Sequence, residues 1–195
     1  MSDKFGLKKF IRKVNDFPIE GIVFRDITSL IETPEAFVNT CEQLTRLTKS
    51  FNATAIASIE SRGFIFAGSI AKDLSLPFIL ARKPGKLPNT TFSKDFDLEY
   101  GSTSIEIQKN TTLGVTDRVV VVDDLIATGG TAIGCAELIT ENFDVSKENI
   151  LILAVIDLPN LGGSNLLKEQ GYKVETLVSY YCLLYTSDAA DEGLG

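Results

Sequence analysis

One stretch constrains this chain more than any other: Arg118-Val-Val-Val-Val-Asp-Asp-Leu-Ile-Ala-Thr-Gly-Gly-Thr131. Val119 to Val122 are β-branched without period-two alternation, which reads as a strand buried on both faces, as in a parallel sheet. The carboxylates Asp123 and Asp124 follow at once, then Ala127-Thr128-Gly129-Gly130-Thr131, then a helical run from Ala132 to Thr140. In an open α/β sheet, ligands bind beyond the carboxyl ends of the strands. A glycine turn opening a helix offers free backbone N–H groups and the positive end of the helix dipole, which suit a phosphate. Thr128 and Thr131 add hydroxyl donors. No lysine follows the glycines, so this is not the G-x-x-x-x-G-K-[ST] loop. The two carboxylates would repel a phosphate and must face sugar hydroxyls or a magnesium ion. A phosphate cradle beside hydroxyl-binding acids describes a ribose 5-phosphate site. The bland alternative, a solvated Asp pair on an ordinary strand–turn–helix, explains each part but not their order.

The rest of the composition excludes chemistry rather than suggesting it. The chain has 195 residues, enough for one α/β domain. It contains no histidine, so Ser-His-Asp, Cys-His and histidine-metal chemistry are absent, and acid–base work falls to carboxylates, Tyr or Lys. The net charge of −7 gives nucleic-acid binding little electrostatic support, and an anionic substrate needs local cations. Cys41, Cys135 and Cys182 are widely spaced, which argues against a disulfide framework or a zinc site. No apolar run approaches the 18 residues of a membrane span, and Met-Ser-Asp-Lys does not start a signal peptide, so a cytoplasmic enzyme is expected.

Taken in order, Lys4 to Val14 places Phe5, Phe10, Ile11 and Val14 at helical spacing and predicts a short amphipathic helix. Asp16 to Thr28 reads as a loop, broken by Pro18 and Gly21 yet carrying Phe17, Ile22, Val23 and Phe24, so it must bury or bind something apolar. Pro34 opens a structural helix through Leu47. Ala53 to Ile59 is a second buried strand ending in Glu60-Ser61-Arg62-Gly63-Phe64, with a helix through Leu74. Arg62 could fork onto a diphosphate or serve only as a surface ion-pair partner. Pro77 to Ala81 is a third strand, leading into the basic segment Arg82-Lys-Pro-Gly-Lys-Leu-Pro88, which reads as a solvated tip or a mobile lid. Ile105 and Ile107 alternate with polar residues, as in an antiparallel strand. Asn149 to Ile156 and Val174 to Tyr180 are further strands, with Ser164 as a helix cap between them.

Val-Val-Val-Asp-Asp-x-x-Ala-Thr-Gly-Gly-Thr resembles the signature of type I phosphoribosyltransferases, which use 5-phosphoribosyl 1-diphosphate (PRPP). The string Phe-Pro-x-x-Gly-Ile-x-Phe-Arg-Asp-Ile-Thr from Phe17, with Glu60-Ser-Arg-Gly-Phe64, the Arg82 segment and Leu98-Glu-Tyr-Gly101, is similar to the adenine-specific branch. The resemblance covers roughly residues 17–181. It implies a single phosphoribosyltransferase domain over 1–181, with a mainly parallel sheet flanked by helices. Residues 1–33 would form an N-terminal base-binding hood, and 82–110 a flexible hairpin lid. It stops at 182–195, expected to be a disordered tail that need not be native sequence.

What the resemblance implies chemically is the transfer of phosphoribose from PRPP to N9 of adenine, giving AMP and diphosphate, with Mg²⁺ reaching the site mainly through PRPP and water. Asp123 and Asp124 would hold the ribose, and Ala127, Thr128, Gly129, Gly130 and Thr131 the 5-phosphate. Ser61, Arg62, Arg82, Lys83 and Lys86 would meet the diphosphate, with Arg62 also catalytic. Phe24 would stack on the purine while the backbone at Val23 and Arg25 reads its edge. Glu99 would be the acid/base at the purine and Tyr100 a lid residue near the reacting sugar. A homodimer is implied, without a nucleic-acid or membrane partner. A cis peptide between Glu60 and Ser61 is expected, bringing the Ser61 N–H and the Arg62 side chain to one side. Two alternatives remain open. A relative acting on hypoxanthine, xanthine or orotate would differ at Phe24, Arg25 and Glu99. A non-catalytic PRPP-sensing regulator would need a basic face.

Overall fold

The structure is a computed structural model that describes residues 5–98 and 101–181, without the side chains of 97, 98 and 101–103. Five parallel strands form the central sheet: β3 (Ala55–Ile59), β4 (Phe78–Ala81), β7 (Val119–Ile126), β8 (Ile150–Asp157) and β9 (Lys173–Ser179), in the order β4-β3-β7-β8-β9. The unbroken apolar runs explain why. Val120 and Val122 point into one core with Leu151, Leu153 and Val155, while Val119 and Val121 point into a second with Ile150, Ile152 and Ala154. Each valine so buried contributes about 1.5–3 kcal/mol relative to exposure. A strand burying both faces has no polar side to show, hence the absence of alternation.

Helices cover both faces. On the first lie α1 (Thr28–Glu32), α2 (Pro34–Ser50) and α3 (Gly63–Leu74), the last contributing Phe66, Ala67 and Ile70. On the second lie α4 (Gly130–Phe143) and α5 (Gly163–Glu169), through Cys135, Ala136, Leu138, Ile139 and Leu167. Two antiparallel ribbons lie outside the five-stranded ladder: β1 (Arg12–Asn15) with β2 (Val23–Asp26), and β5 (Thr91–Leu98) with β6 (Gly101–Gln108).

Four expectations are corrected. The helix over Lys4–Val14 is only a 3-10 turn, Leu7–Phe10, followed by β1; Gly6 precedes it at φ 75° and Ile11 is already extended. The loop from Asp16 to Thr28 contains β2, which the spacing missed because a four-residue half-buried strand carries no period. The organising strand does not stop at Val122: β7 runs to Ile126, because Asp123, Leu125 and Ile126 pair with Ala154, Ile156 and Asp157 of β8. Ser164 is no cap. Gly162 occupies that position at φ 79°, and the buried Ser164 hydroxyl donates instead to Asp157 Oδ2 at 3.1 Å. The expectations for 182–195 and for Glu99 and Tyr100 lie outside the described residues.

Candidate active site

The carboxyl ends of β3, β4 and β7 meet in a cleft of about 370 Å³. Ser61, Arg62, Arg82, Lys83, Asp123, Asp124 and Thr131, all expected from the sequence, line it, and Glu60, Phe96, Ser104, Ile105 and Leu125 were not foreseen.

At its floor, the Asp124 N–H donates to Asp123 Oδ1 at 2.8 Å. Burial, and then the neighbouring Asp124 charge, push the Asp123 carboxyl well above its ordinary range. Arg62, the expected diphosphate ligand, is turned onto this acidic floor, where its Nε donates to Asp124 Oδ2. Its guanidinium is half exposed and Asp124 is buried, so the pair sits at the cleft surface with its cationic end reaching solvent.

The chain arrives there through two tight passages. The Glu60–Ser61 peptide is cis, as expected from the sequence. Gly63 then starts α3, where a Cβ would fall 2.7 Å from the Val122 carbonyl oxygen and 2.8 Å from Ser58 Oγ. Only glycine lets α3 begin this close to β7, which is what sets Arg62 against Asp124.

The expected phosphate loop is a glycine-built helix start. Gly129 adopts φ 86° and directly precedes α4, and no side chain caps that helix. Its first-turn N–H groups therefore remain without a side-chain acceptor, the arrangement that receives an anion. The loop rests on Gly163, whose N–H donates to the Ala127 carbonyl at 3.1 Å. That support, 34 residues away from Gly129, had no signal in the local pattern. Thr131 lines the cleft, while Ala127 to Gly130 stand outside its lining.

The basic segment is more ordered than a solvated tip. Arg82 and Glu106 exchange backbone hydrogen bonds at 3.0 and 2.7 Å, so β4 is joined to the β5–β6 ribbon. The ribbon lies on α4: the Phe96 ring covers Gly134, where a Cβ would fall 2.8 Å from it, and Lys94 pairs with Glu137 at 3.1 Å and Glu141 at 2.6 Å. Lys94 is thus spent on anchoring. Lys86 does not line the cleft, though its carbonyl accepts from Arg82 Nη1 at 2.8 Å.

The hood residues Val23, Phe24 and Arg25 lie in β2, bordering the cleft rather than lining it. The Phe24 ring packs edge-on against Phe17, centroids 5.1 Å apart, and Arg62 comes within 5.9 Å of its centre. Phe24 and the acidic floor thereby share one arginine. Arg25 stacks on Tyr180 at 4.0 Å. Among the described residues no three acidic or cysteine side chains gather in a way that could hold a metal ion, and no helix is long and apolar enough to cross a membrane.

A phosphoribosyl transferase domain matches residues 35–160. The adenine phosphoribosyltransferase of Pelagibacter ubique is 45% identical over 175 residues, 89% of this chain and 97% of its own. The crystal structure of adenine phosphoribosyltransferase from Thermoanaerobacter pseudethanolicus is 37% identical, with a TM-score of 0.80 over 89% of this chain and 98% of that one. The Giardia lamblia enzyme, crystallised with 9-deazaadenine, is 33% identical, with a TM-score of 0.85 over 93% of this chain and 99% of that one. With a domain match over residues 35–160 and relatives this similar over 89% of the chain, the chain belongs to the adenine phosphoribosyltransferases of the type I phosphoribosyltransferase family.

Proposed function

We propose that this cleft transfers the 5-phosphoribosyl group of PRPP to N9 of adenine, releasing AMP and diphosphate. The observation that carries the reading is the convergence of an uncapped α4 N-terminus, an Asp123–Asp124 pair and the cations Arg62, Arg82 and Lys83 around one 370 Å³ space. The 127–131 loop would receive the 5-phosphate through its N–H groups and the Thr128 and Thr131 hydroxyls. Asp123 and Asp124 would accept from the ribose hydroxyls. In the structure Arg62 occupies Asp124; a diphosphate, carrying more charge, would draw Arg62 to itself and free that carboxylate for the sugar.

As N9 displaces diphosphate at C1, positive charge grows on the ribose and negative charge on the leaving group. The carboxylates stabilise the first, and Arg62, Arg82, Lys83, Lys86 and the Ser61 N–H the second. Glu99 handles the purine proton and Tyr100 closes over the sugar, roles that rest on the family motif. Phe24 stacks on the base, and the Val23 and Arg25 backbone reads its amino edge. The site suits a Mg²⁺ that arrives with its substrate: of the three carboxylates lining the cleft, Glu60 is held by Arg82 and the Lys83 N–H and Asp124 by Arg62, and no protein cage is present among the described residues. When bound, Mg²⁺ spreads the charge of the departing diphosphate. A cytoplasmic homodimer is the assembly that goes with this reading.

A panel of purine and pyrimidine bases, assayed with PRPP and Mg²⁺ for diphosphate release, tests the proposal. Adenine should exceed hypoxanthine by ~10⁴-fold, because a site built around an amino donor leaves buried groups unpaired against an oxo group. Equal turnover of the two bases would overturn it.

A further inference from the structure

Glu60 stands at the mouth of the cleft with both carboxylate oxygens committed to the basic segment. Its Oε1 accepts from Arg82 Nη2 at 2.9 Å, and its Oε2 from the Lys83 backbone N–H at 3.2 Å. Arg82 Nη1 reaches on to the Lys86 carbonyl at 2.8 Å. From the opposite side, Glu106 Oε2 accepts from the Gly85 N–H at 3.1 Å, and its backbone brackets Arg82. Residues 82–86 are thus wound between two carboxylates.

A guanidinium has five N–H donors in a fixed plane. Glu60 takes one on Nη2 and Lys86 takes one on Nη1, so each terminal nitrogen keeps a second N–H. Arg82 lines the cleft, with its side chain about 29% exposed. A freely rotating arginine would lose rotamer entropy on meeting an anion. One already fixed at two points has less to lose. The hydrogen bond from Arg82 also holds the Glu60 carboxyl below its usual range, against the opposing effect of burial, so the clasp keeps its charge at neutral pH.

We infer that Glu60 is a positioning residue for the diphosphate half of PRPP: it acts through Arg82, fixing the guanidinium and the 82–86 turn in the orientation that meets the leaving group. Its own negative charge, offset by Arg82, does not act on the ligand as a free anion. This inference rests on the proposed diphosphate role of the cleft.

The test measures KM for PRPP and for adenine in the full-length enzyme and in Glu60→Gln, Glu60→Asp, Arg82→Ala and the Glu60→Gln/Arg82→Ala double variant, with Tm alongside. Glu60→Gln should raise the PRPP KM roughly three- to tenfold, in keeping with a partly exposed charged pair, and leave the adenine KM within twofold. Glu60→Asp keeps the charge but falls one methylene short, and it should show the same split. In the Arg82→Ala background, Glu60→Gln should add nothing, since the residue it acts through is gone. An unchanged or lowered PRPP KM in both Glu60 variants, or additive effects in the double variant, would overturn the inference. An unchanged PRPP KM in Arg82→Ala would instead sink the diphosphate reading of the cleft. A fall in Tm with both KM values rising together would mark Glu60 as merely structural.

Discussion

Gly163, at the start of α5, lies directly beneath Gly129 of the phosphate loop: a Cβ on Gly163 would fall 2.5 Å from the Gly129 nitrogen and 2.6 Å from the Thr128 carbonyl carbon. All the obstructing atoms are backbone, so nothing can swing aside. Gly163→Ala must lift the loop or displace α5. A misplacement on the order of 1 Å at a binding loop can cost about 10²-fold. The PRPP KM should therefore rise by up to about that factor while adenine binding is spared. Steady-state kinetics with each substrate varied in turn decide it; an unaltered PRPP KM would show that the loop does not need this floor.

Asp123 ties stability to pH. Burial and the Asp124 charge raise its carboxyl well above the ordinary value of 3.8. The unfolded chain sheds this proton near that ordinary value, the folded chain only at higher pH. Between the two, the folded state binds more protons, so stability falls as pH rises through that window and then levels off. Asp123→Asn cannot ionise, yet its amide oxygen can still accept from the Asp124 N–H. The variant should lose this slope and unfold a few degrees higher at neutral pH, at about 2–4 °C per kcal/mol for a chain this size. It should also use PRPP poorly. Melting curves across pH give the first result; a variant less stable than the parent at neutral pH would contradict it.

The legible parts of this protein are those whose cause is local. The four valines must be buried whatever surrounds them, and a glycine pair after a strand must turn. Hence the β7–loop–α4 unit, α2, α3 and the sheet strands could be read directly. The hood misled because Phe5, Phe10, Ile11 and Val14 satisfy a helical period, while the deciding facts are the left-handed Gly6 and the pairing of Val14 with Phe24. Gly163 under Gly129 and Glu60 on Arg82 were invisible for a different reason. Each depends on which strand ends become neighbours, and the order β4-β3-β7-β8 is not written in any local pattern. Individual site residues carried over from family motifs fared unevenly in position: Asp123, Asp124 and Arg62 converge, whereas Val23 and Lys86 stand outside the cleft lining.

Glu99 offers a test independent of the described residues. The paired register of β5 and β6 runs to Leu98 opposite Gly101, and the role of Glu99 rests on the Leu-Glu-Tyr-Gly motif. If it handles the purine proton, Glu99→Gln should lower the single-turnover rate by about 10²–10⁴-fold, the range for general acid–base groups. PRPP affinity should stay nearly intact. A rate equal to the parent's would remove Glu99 from the chemistry.

Tyr180 ties the hood to the sheet. Its N–H donates to the Asp157 carbonyl at 3.0 Å, which fixes it at the end of β8. Its hydroxyl donates to the Lys8 carbonyl at 3.3 Å, and Arg25 lies over its ring at 4.0 Å. The strand expected to read adenine is therefore held by an aromatic face on the far side from Phe24. A cation over an aromatic ring contributes about 0.5–2 kcal/mol, rising with desolvation. Tyr180→Ala should loosen β2 and raise the adenine KM roughly three- to tenfold, the upper part of that range being the more exposed to competing contacts. Tyr180→Phe keeps the ring and loses the Lys8 hydrogen bond, so it should stay within about twofold of the parent. The PRPP KM should move in neither variant, because Tyr180 contacts Lys8, Arg25 and Asp157 and is not part of the cleft lining. Equal rises in both KM values for Tyr180→Ala, or an adenine KM indifferent to the loss of the ring, would show that β2 is held by its own pairing with β1 and by the buried Leu7, Ile11 and Ile27 instead.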